Sequence, residues 1–165
     1  MPREPNWIAS WAATVLVIAQ IVFLFAFGAG DIAWLRYFGF VLWALAAVFG
    51  WLPIYQFRKT GGVTAGDSYM ETTRLVDTGL YAIVRHPQFV AWPLMAVAVS
   101  LVSQHLLIIV MGAIACALAS VDFRRVDARN VAKFGDEYLR YMERVPGWNF
   151  VLGTWRRLRR IRQRR

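Results

Sequence analysis

The sequence is poor in the residues from which many catalytic centres are built. It has one cysteine, Cys116, and two histidines, His86 and His105. A lone cysteine inside an apolar run excludes a disulfide framework and a cysteine-based metal cluster. Two histidines expected on opposite sides of a membrane cannot make a multi-histidine site, so no metal is expected. The sequence lacks a Gly-x-Gly-x-x-Gly fingerprint and a Walker A motif, which leaves soluble-type dinucleotide or P-loop binding without support. A large excess of charge of one sign is also missing from most of the chain, since residues 1–155 hold 12 basic and 10 acidic residues. Of the net +9, the last ten residues contribute +7 through Arg156, Arg157, Arg159, Arg160, Arg162, Arg164 and Arg165. After Trp155 this segment has no interleaved aromatic, so no nucleic-acid partner is expected.

What is abundant is apolar surface. Apolar residues make up 58% of 165 positions, and mean hydropathy is +0.42. A single soluble domain of this size has too little interior to hide that much. The first run, Trp7 to Phe27, is uncharged and longer than a signal-peptide core, so it reads as a retained helix. A second helix is expected from Ile32 to Leu52, ending near Pro53 and flanked by Trp34, Tyr37, Trp51 and Tyr55 at aromatic-belt spacing. A third is expected from Pro87 to Ser103, with Pro93 as a kink. A fourth follows the turn Ser103-Gln104-His105 and runs from Leu106 to Val121, continuing as a polar helix through Arg129. Residues 133–142 read as a helix lying at the membrane interface. The fold class so reached is an all-α integral membrane protein: four transmembrane helices with a C-terminal interfacial helix. Residues 1–155 form the membrane domain and 156–165 an Arg-rich cytoplasmic tail.

Charge placement orients this arrangement. The turns 28–31 and 103–105 carry no Lys or Arg, whereas the loop 56–86 and everything after Val121 are rich in both. The positive-inside rule then puts loop, N-terminus and C-terminus in the cytoplasm, in an inner membrane of bacterial type. The basic tail is expected to bind anionic lipid headgroups. A short turn between the third and fourth helices makes them antiparallel neighbours. Arg85 and His86 are thereby placed near Asp122, Arg124, Arg125 and Asp127 at one membrane face. Carboxylates, guanidinium groups and an imidazole over an apolar floor suit a ligand with a charged half and a lipid-like half. The bland reading of the same residues is a ring of headgroup-level charges, with Arg124 and Asp127 as a helix-surface ion pair at i,i+3.

The segment Leu75-Val76-Asp77-Thr78-Gly79-Leu80-Tyr81-Ala82-Ile83-Val84-Arg85-His86-Pro87-Gln88-Phe89 resembles the isoprenylcysteine carboxyl methyltransferase and phospholipid methyltransferase superfamily. So does Phe134-Gly135-Asp136-Glu137-Tyr138-Leu139-Arg140-Tyr141 with Arg144-Val145-Pro146. The resemblance covers about residues 70 to 150. It implies a membrane enzyme that moves a methyl group from S-adenosylmethionine to a lipidic or hydrophobic acceptor at the cytoplasmic face. It further implies that the cofactor meets Tyr81, Arg85, His86, Pro87, Asp127, Tyr138 and Tyr141. Arg85, His86, Asp127 and Arg124 become the catalytic candidates, and Phe89, Trp92 and Arg125 the acceptor side. Three positions depart from the family pattern. Val126 stands where an acid is usual before Asp127, Phe89 where Tyr is usual, and Leu80 where Pro is usual.

Two other classes of function fit parts of the sequence. A membrane reductase with a nicotinamide cofactor shares the His-Pro-x-aromatic ending, but such enzymes are usually much longer. A non-catalytic membrane scaffold would use the basic tail on lipid.

Overall fold

The computed structural model describes residues 8–68, 71–119 and 123–163, with 123–125 described by backbone only. Seven α-helices appear among them: α1 (Ile8–Phe27), α2 (Ala33–Thr60), α3 (Pro87–Ser103), α4 (Leu106–Ala119), α5 (Phe123–Phe134), α6 (Asp136–Arg144) and α7 (Phe150–Gln163). A 3₁₀ turn at Gly79–Ala82 stands between α2 and α3.

The all-α class is as expected, but the four-span arrangement is not. Among the described residues two helices are long and apolar enough to cross a membrane, α1 with 20 residues and α2 with 28. Helices α3 and α4 are apolar but have 17 and 14 residues. At 1.5 Å per residue they reach about 25 Å and about 21 Å, short of the ~30 Å of hydrocarbon. Their expected bounds, 87–103 and 106–121, allowed only short or tilted crossings, and α4 ends at Ala119. Helix α2 also runs on through Pro53 to Thr60. The proline removes one amide donor and leaves the Phe49 carbonyl without its usual partner, which a long helix tolerates more readily than termination in apolar surroundings. Further along, residues 156–163 of the Arg-rich segment are helical and continue α7.

The chain divides into two compact units. The first comprises residues 1–48 and 91–125, the second 49–90 and 126–165. In the first, Val17 of α1 packs with Ala96 of α3 and Ala115 of α4, and Leu16, Ile21, Met95 and Cys116 pack around them. Small residues let the helices approach closely, which is how apolar helices gain packing where no hydrophobic drive separates them from lipid. Gln20 is fully buried at their junction. Its Nε2 donates to the Ile108 carbonyl at 2.8 Å, the Ser100 hydroxyl at 3.2 Å and the Ala96 carbonyl at 3.3 Å. Gln104, at φ +56°, closes the turn before α4 and clamps Ile32. Its Oε1 accepts from the Ile32 amide at 3.0 Å, and its Nε2 donates to the Ile32 carbonyl at 2.9 Å.

The second unit is built around α6. Tyr138, Tyr141 and Val145 form a buried cluster with Leu75, Val131, Phe134 and Met142 around it. The aromatic residues that suggested a helix lying on a membrane therefore face a protein core. Gly135 makes this possible. It sits between α5 and α6 at φ +56° and ψ −135°, a conformation open to glycine almost alone, so the chain turns sharply and presents the tyrosines inward.

Candidate active site

The cofactor residues implied by the resemblance, Tyr81, Arg85, His86, Pro87, Asp127, Tyr138 and Tyr141, all fall within the second unit. Pro87 opens α3 at the first helical position, where its missing amide costs nothing. Arg85, at a bend in the chain, and His86 immediately precede it. Their amides donate to the Pro146 carbonyl at 3.0 Å and the Gly147 carbonyl at 2.9 Å. The connection between α6 and α7 thus holds the Arg-His segment by two main-chain bonds. A third tie comes from α6: the Tyr141 hydroxyl donates to the Tyr81 carbonyl at 2.6 Å. The Tyr81 ring stacks on Phe57 with centroids 4.6 Å apart.

Asp127 of α5 is the centre of the site. Its Oδ1 lies 2.7 Å from His86 Nε2 and accepts from the Tyr138 hydroxyl at 2.6 Å. Its Oδ2 lies 3.1 Å from Arg85 Nη2. Burial pushes the carboxyl upward, but the bond and charge of His86, the bond from Tyr138 and the charge of Arg85 outweigh burial. They hold Asp127 below the ordinary carboxylate range. With Asp127 ionised, His86 presents its Nε2 hydrogen to the carboxylate, and Nδ1 is the ring atom left for other work. Tyr138 is driven well above the ordinary phenol range, first by burial and then by its bond to Asp127. Burial does the same to Tyr141. Both remain neutral donors at any working pH. Asn130, one turn after Asp127, donates from Nδ2 to the Tyr138 hydroxyl at 3.2 Å and completes the chain of bonds.

The side chains of Arg85, His86 and Asp127 are 9%, 5% and 11% exposed. A carboxylate so enclosed needs the partners it has, because an uncompensated buried charge costs several kcal/mol. Arg85 needs more than it has. Its Nε and Nη1 are buried and make no hydrogen bond among the described residues. A buried guanidinium with two unspent donors fits an anionic oxygen group supplied from outside the chain.

Beside this network a cavity of about 260 Å³ is lined by Asp77, Ala82, Tyr141, Arg144, Val145, Arg157, Arg160 and Ile161. Of the cofactor candidates it includes Tyr141. Helix α7 supplies two of its arginines, and both are anchored to the 3₁₀ turn. Arg157 Nη1 donates to the Gly79 carbonyl at 2.6 Å, and Arg160 Nη2 to the Ala82 carbonyl at 3.3 Å.

The structure brings Tyr81, Arg85, His86, Pro87, Asp127, Tyr138 and Tyr141 into one unit. Phe89 stays beside them, its ring edge-on to His86 with centroids 5.7 Å apart. Trp92 falls in the first unit and is exposed. The side chains of Arg124 and Arg125 lie outside the described residues, as does Asp122. Sequence reasoning missed Asn130 and the Pro146 and Gly147 carbonyls. Asn130 could have been found from its i,i+3 spacing to Asp127; main-chain acceptors leave no such trace.

The site is thus a buried Arg-His-Asp-Tyr network next to the start of an apolar helix. The family model for phospholipid methyltransferase matches residues 34–133, more than half of the chain, and the chain belongs to that family. The match takes in the Arg85-His86-Pro87 segment and Asp127 and stops before α6. Neither curated proteins nor solved structures gave a match to the chain.

Proposed function

We propose that the protein transfers a methyl group from S-adenosylmethionine to a lipidic acceptor, with the headgroup amine of a phospholipid the first candidate. One observation carries this reading: Arg85 is buried against Asp127 with two donors unspent. When bound, the sulfonium cofactor supplies an electrophilic methyl and its own leaving group, so that the acceptor–carbon bond forms as the sulfur–carbon bond breaks. The residues present fit such a cofactor. Arg85 Nε and Nη1 would hold its carboxylate, and Tyr81, Pro87 and Tyr141 would give it an apolar flank.

Asp127 acts one step back. Its oxygens are taken by His86, Tyr138 and Arg85, so it fixes the orientation of the guanidinium and of the imidazole and does not itself grip the cofactor. With Nε2 committed to Asp127, His86 Nδ1 is the atom that takes the proton an amine acceptor must lose. Phe89, beside His86, offers apolar surface for the acceptor. Arg124 and Arg125 remain candidates for its anionic part. The remaining contribution of the chain is alignment and exclusion of water, the effects methyl transfer depends on most.

Detergent-purified protein should bind S-adenosylmethionine in a calorimeter and should transfer its labelled methyl to phosphatidylethanolamine in mixed micelles. Arg85→Ala should abolish binding, and His86→Gln should spare binding while abolishing transfer. Equal binding by wild type and Arg85→Ala would remove the basis of the reading. Binding of reduced nicotinamide cofactor in place of S-adenosylmethionine would replace it with a reductase, and binding of neither would leave a scaffold.

A further inference from the structure

Helix α7 carries an apolar stripe that nothing among the described residues covers. Val151, Trp155 and Leu158 are 66%, 52% and 56% exposed, and Trp148 just before the helix is 58% exposed. At 100° per residue these positions fall on one side of the helix. Arg159 and Arg162 lie on the same side, both exposed. The Arg159 guanidinium sits over the Trp155 ring, 4.5 Å from its centroid. The opposite side faces the protein. Gly153 is buried there because a side chain would collide with the Ile83 carbonyl, and Arg157 and Arg160 bond the 3₁₀ turn from that side. From Val145 to Arg165 the sequence contains no Asp or Glu.

We infer that the outer face of α7 docks on an anionic lipid surface. The apolar stripe enters the boundary between headgroups and acyl chains, and Arg159 and Arg162 bind lipid phosphates beside it. Charge decides in favour of this occupant. A protein partner or a second copy of this face would have to bring acids to an arginine-rich helix, and another α7 brings none. The same chain also holds two helices long and apolar enough to cross a membrane, so lipid is the solvent it meets. Tryptophan and arginine together on such a stripe are the residues that settle at headgroup depth.

The test uses the full chain in lipid nanodiscs. In a Cys116→Ser background, Leu158→Cys carries an environment-sensitive fluorophore, and Ala65→Cys, in the exposed polar loop, carries the control. Nitroxide placed high on the acyl chains quenches a docked label. Quenching at position 158 should appear with about 30% phosphatidylglycerol and be weak in phosphatidylcholine alone. Position 65 should respond in neither. Arg159→Gln with Arg162→Gln should lower the docking equilibrium about thirtyfold. Three outcomes would overturn the proposal: no quenching at 158 in anionic discs, equal quenching in neutral discs that survives the arginine changes, or protection of the 158 label without lipid in a dimer seen by sedimentation. Trp155→Ala offers a second arm, since it removes apolar surface without touching Arg157 or Arg160. It should weaken quenching while the S-adenosylmethionine binding proposed above is unchanged.

Discussion

Removing one oxygen from Tyr138 tests the site network by its dependence on charge. Tyr138 is 2% exposed, and its hydroxyl donates to Asp127 Oδ1 at 2.6 Å. Tyr138→Phe keeps the ring in its cluster and deletes a bond to an ionised group, which costs about 2 kcal/mol. For a chain of this size that lowers Tm by about 4–8 °C. Tyr141→Phe is the matched control. It is as buried and on the same helix, but its hydroxyl bonds a neutral carbonyl, so the cost is about 1 kcal/mol and about 2–4 °C.

The two should part on acidification. Asp127 has a folded pKa below its ordinary value, so the stability it contributes is fully present above the ordinary carboxylate range. That stability is lost as pH falls through the folded value. The gap between wild type and Tyr138→Phe should therefore hold from neutral pH down to about 5 and close below about 4. The Tyr141→Phe gap should stay flat. Thermal unfolding of detergent-purified protein, followed by tryptophan fluorescence at one fixed scan rate, reads both. Equal gaps at every pH, or a Tyr138→Phe gap that widens in acid, would show that the bond to an ionised Asp127 is not what holds this tyrosine.

Other substitutions test the surrounding structure. Arg85→Ala leaves Asp127 with two of its three partners and should cost about 3 kcal/mol in the same unfolding assay; Arg85→Lys should recover part of the stability without recovering cofactor binding in the calorimeter. Gly153→Ala forces α7 away from the Ile83 carbonyl, and trypsin should then cut faster after Arg156 and Arg157 than in wild type. Gln20→Leu removes the donor amide that ties α1 to acceptors on α3 and α4; at about 0.6 kcal/mol for each of its two N–H groups in an apolar setting it should lower stability by about 1 kcal/mol. Gly112→Ala places a methyl against Ser100 Oγ and Gln20 Nε2, so its thermal destabilisation should shrink in a Ser100→Gly background.

How far the fold could be read beforehand depended on what kind of signal each element leaves. Helices α1 and α3 begin and end at or within a residue of their expected positions, because an uncharged run and an entry proline are local signals. Helix α2 overran its expected end by two turns. A proline lowers helix propensity, but it does not stop a helix whose apolar face continues to Tyr55 and Phe57. The four-span count failed for a different reason. Hydropathy measures what a segment is made of, whereas crossing a bilayer also needs length, and α3 and α4 fall short of it. Helix α7 was hidden by its own charge. A run of arginines reads as a tail until Gly153, Arg157 and Arg160 are seen bonded or packed against residues 79–83, some 75 positions earlier.

The site was more legible than the topology that was meant to assemble it. Arg85, His86 and Asp127 were to be joined by two antiparallel crossings, α3 against α4. Helices α3 and α4 do pack together, Ala96 against Ala115, and within the second unit a buried carboxylate and two tyrosines hold Arg85 and His86 to Asp127. Helix α6 carries those tyrosines, and Gly135 turns them inward. The motif Phe134-Gly135-x-x-Tyr138-x-x-Tyr141 encodes this directly: glycine sets the turn, and the i,i+3 spacing puts both hydroxyls on one face. One hydroxyl reaches the carboxylate, and the other reaches the backbone of the segment that presents Arg85. The departure at Val126 also gains a physical reading. With Asp127 receiving His86, Tyr138 and Arg85 together, a second carboxylate beside it would raise the local negative charge and compete for the same donors. A single acid with three partners leaves Arg85 with donors to spare, and its Nε and Nη1 are what the site presents to a ligand. Restoring the acid by Val126→Glu should therefore raise the folded pKa of Asp127 and weaken S-adenosylmethionine binding in the calorimeter. Tighter binding in that variant would mean that the missing carboxylate, and not the free guanidinium donors, limits the site.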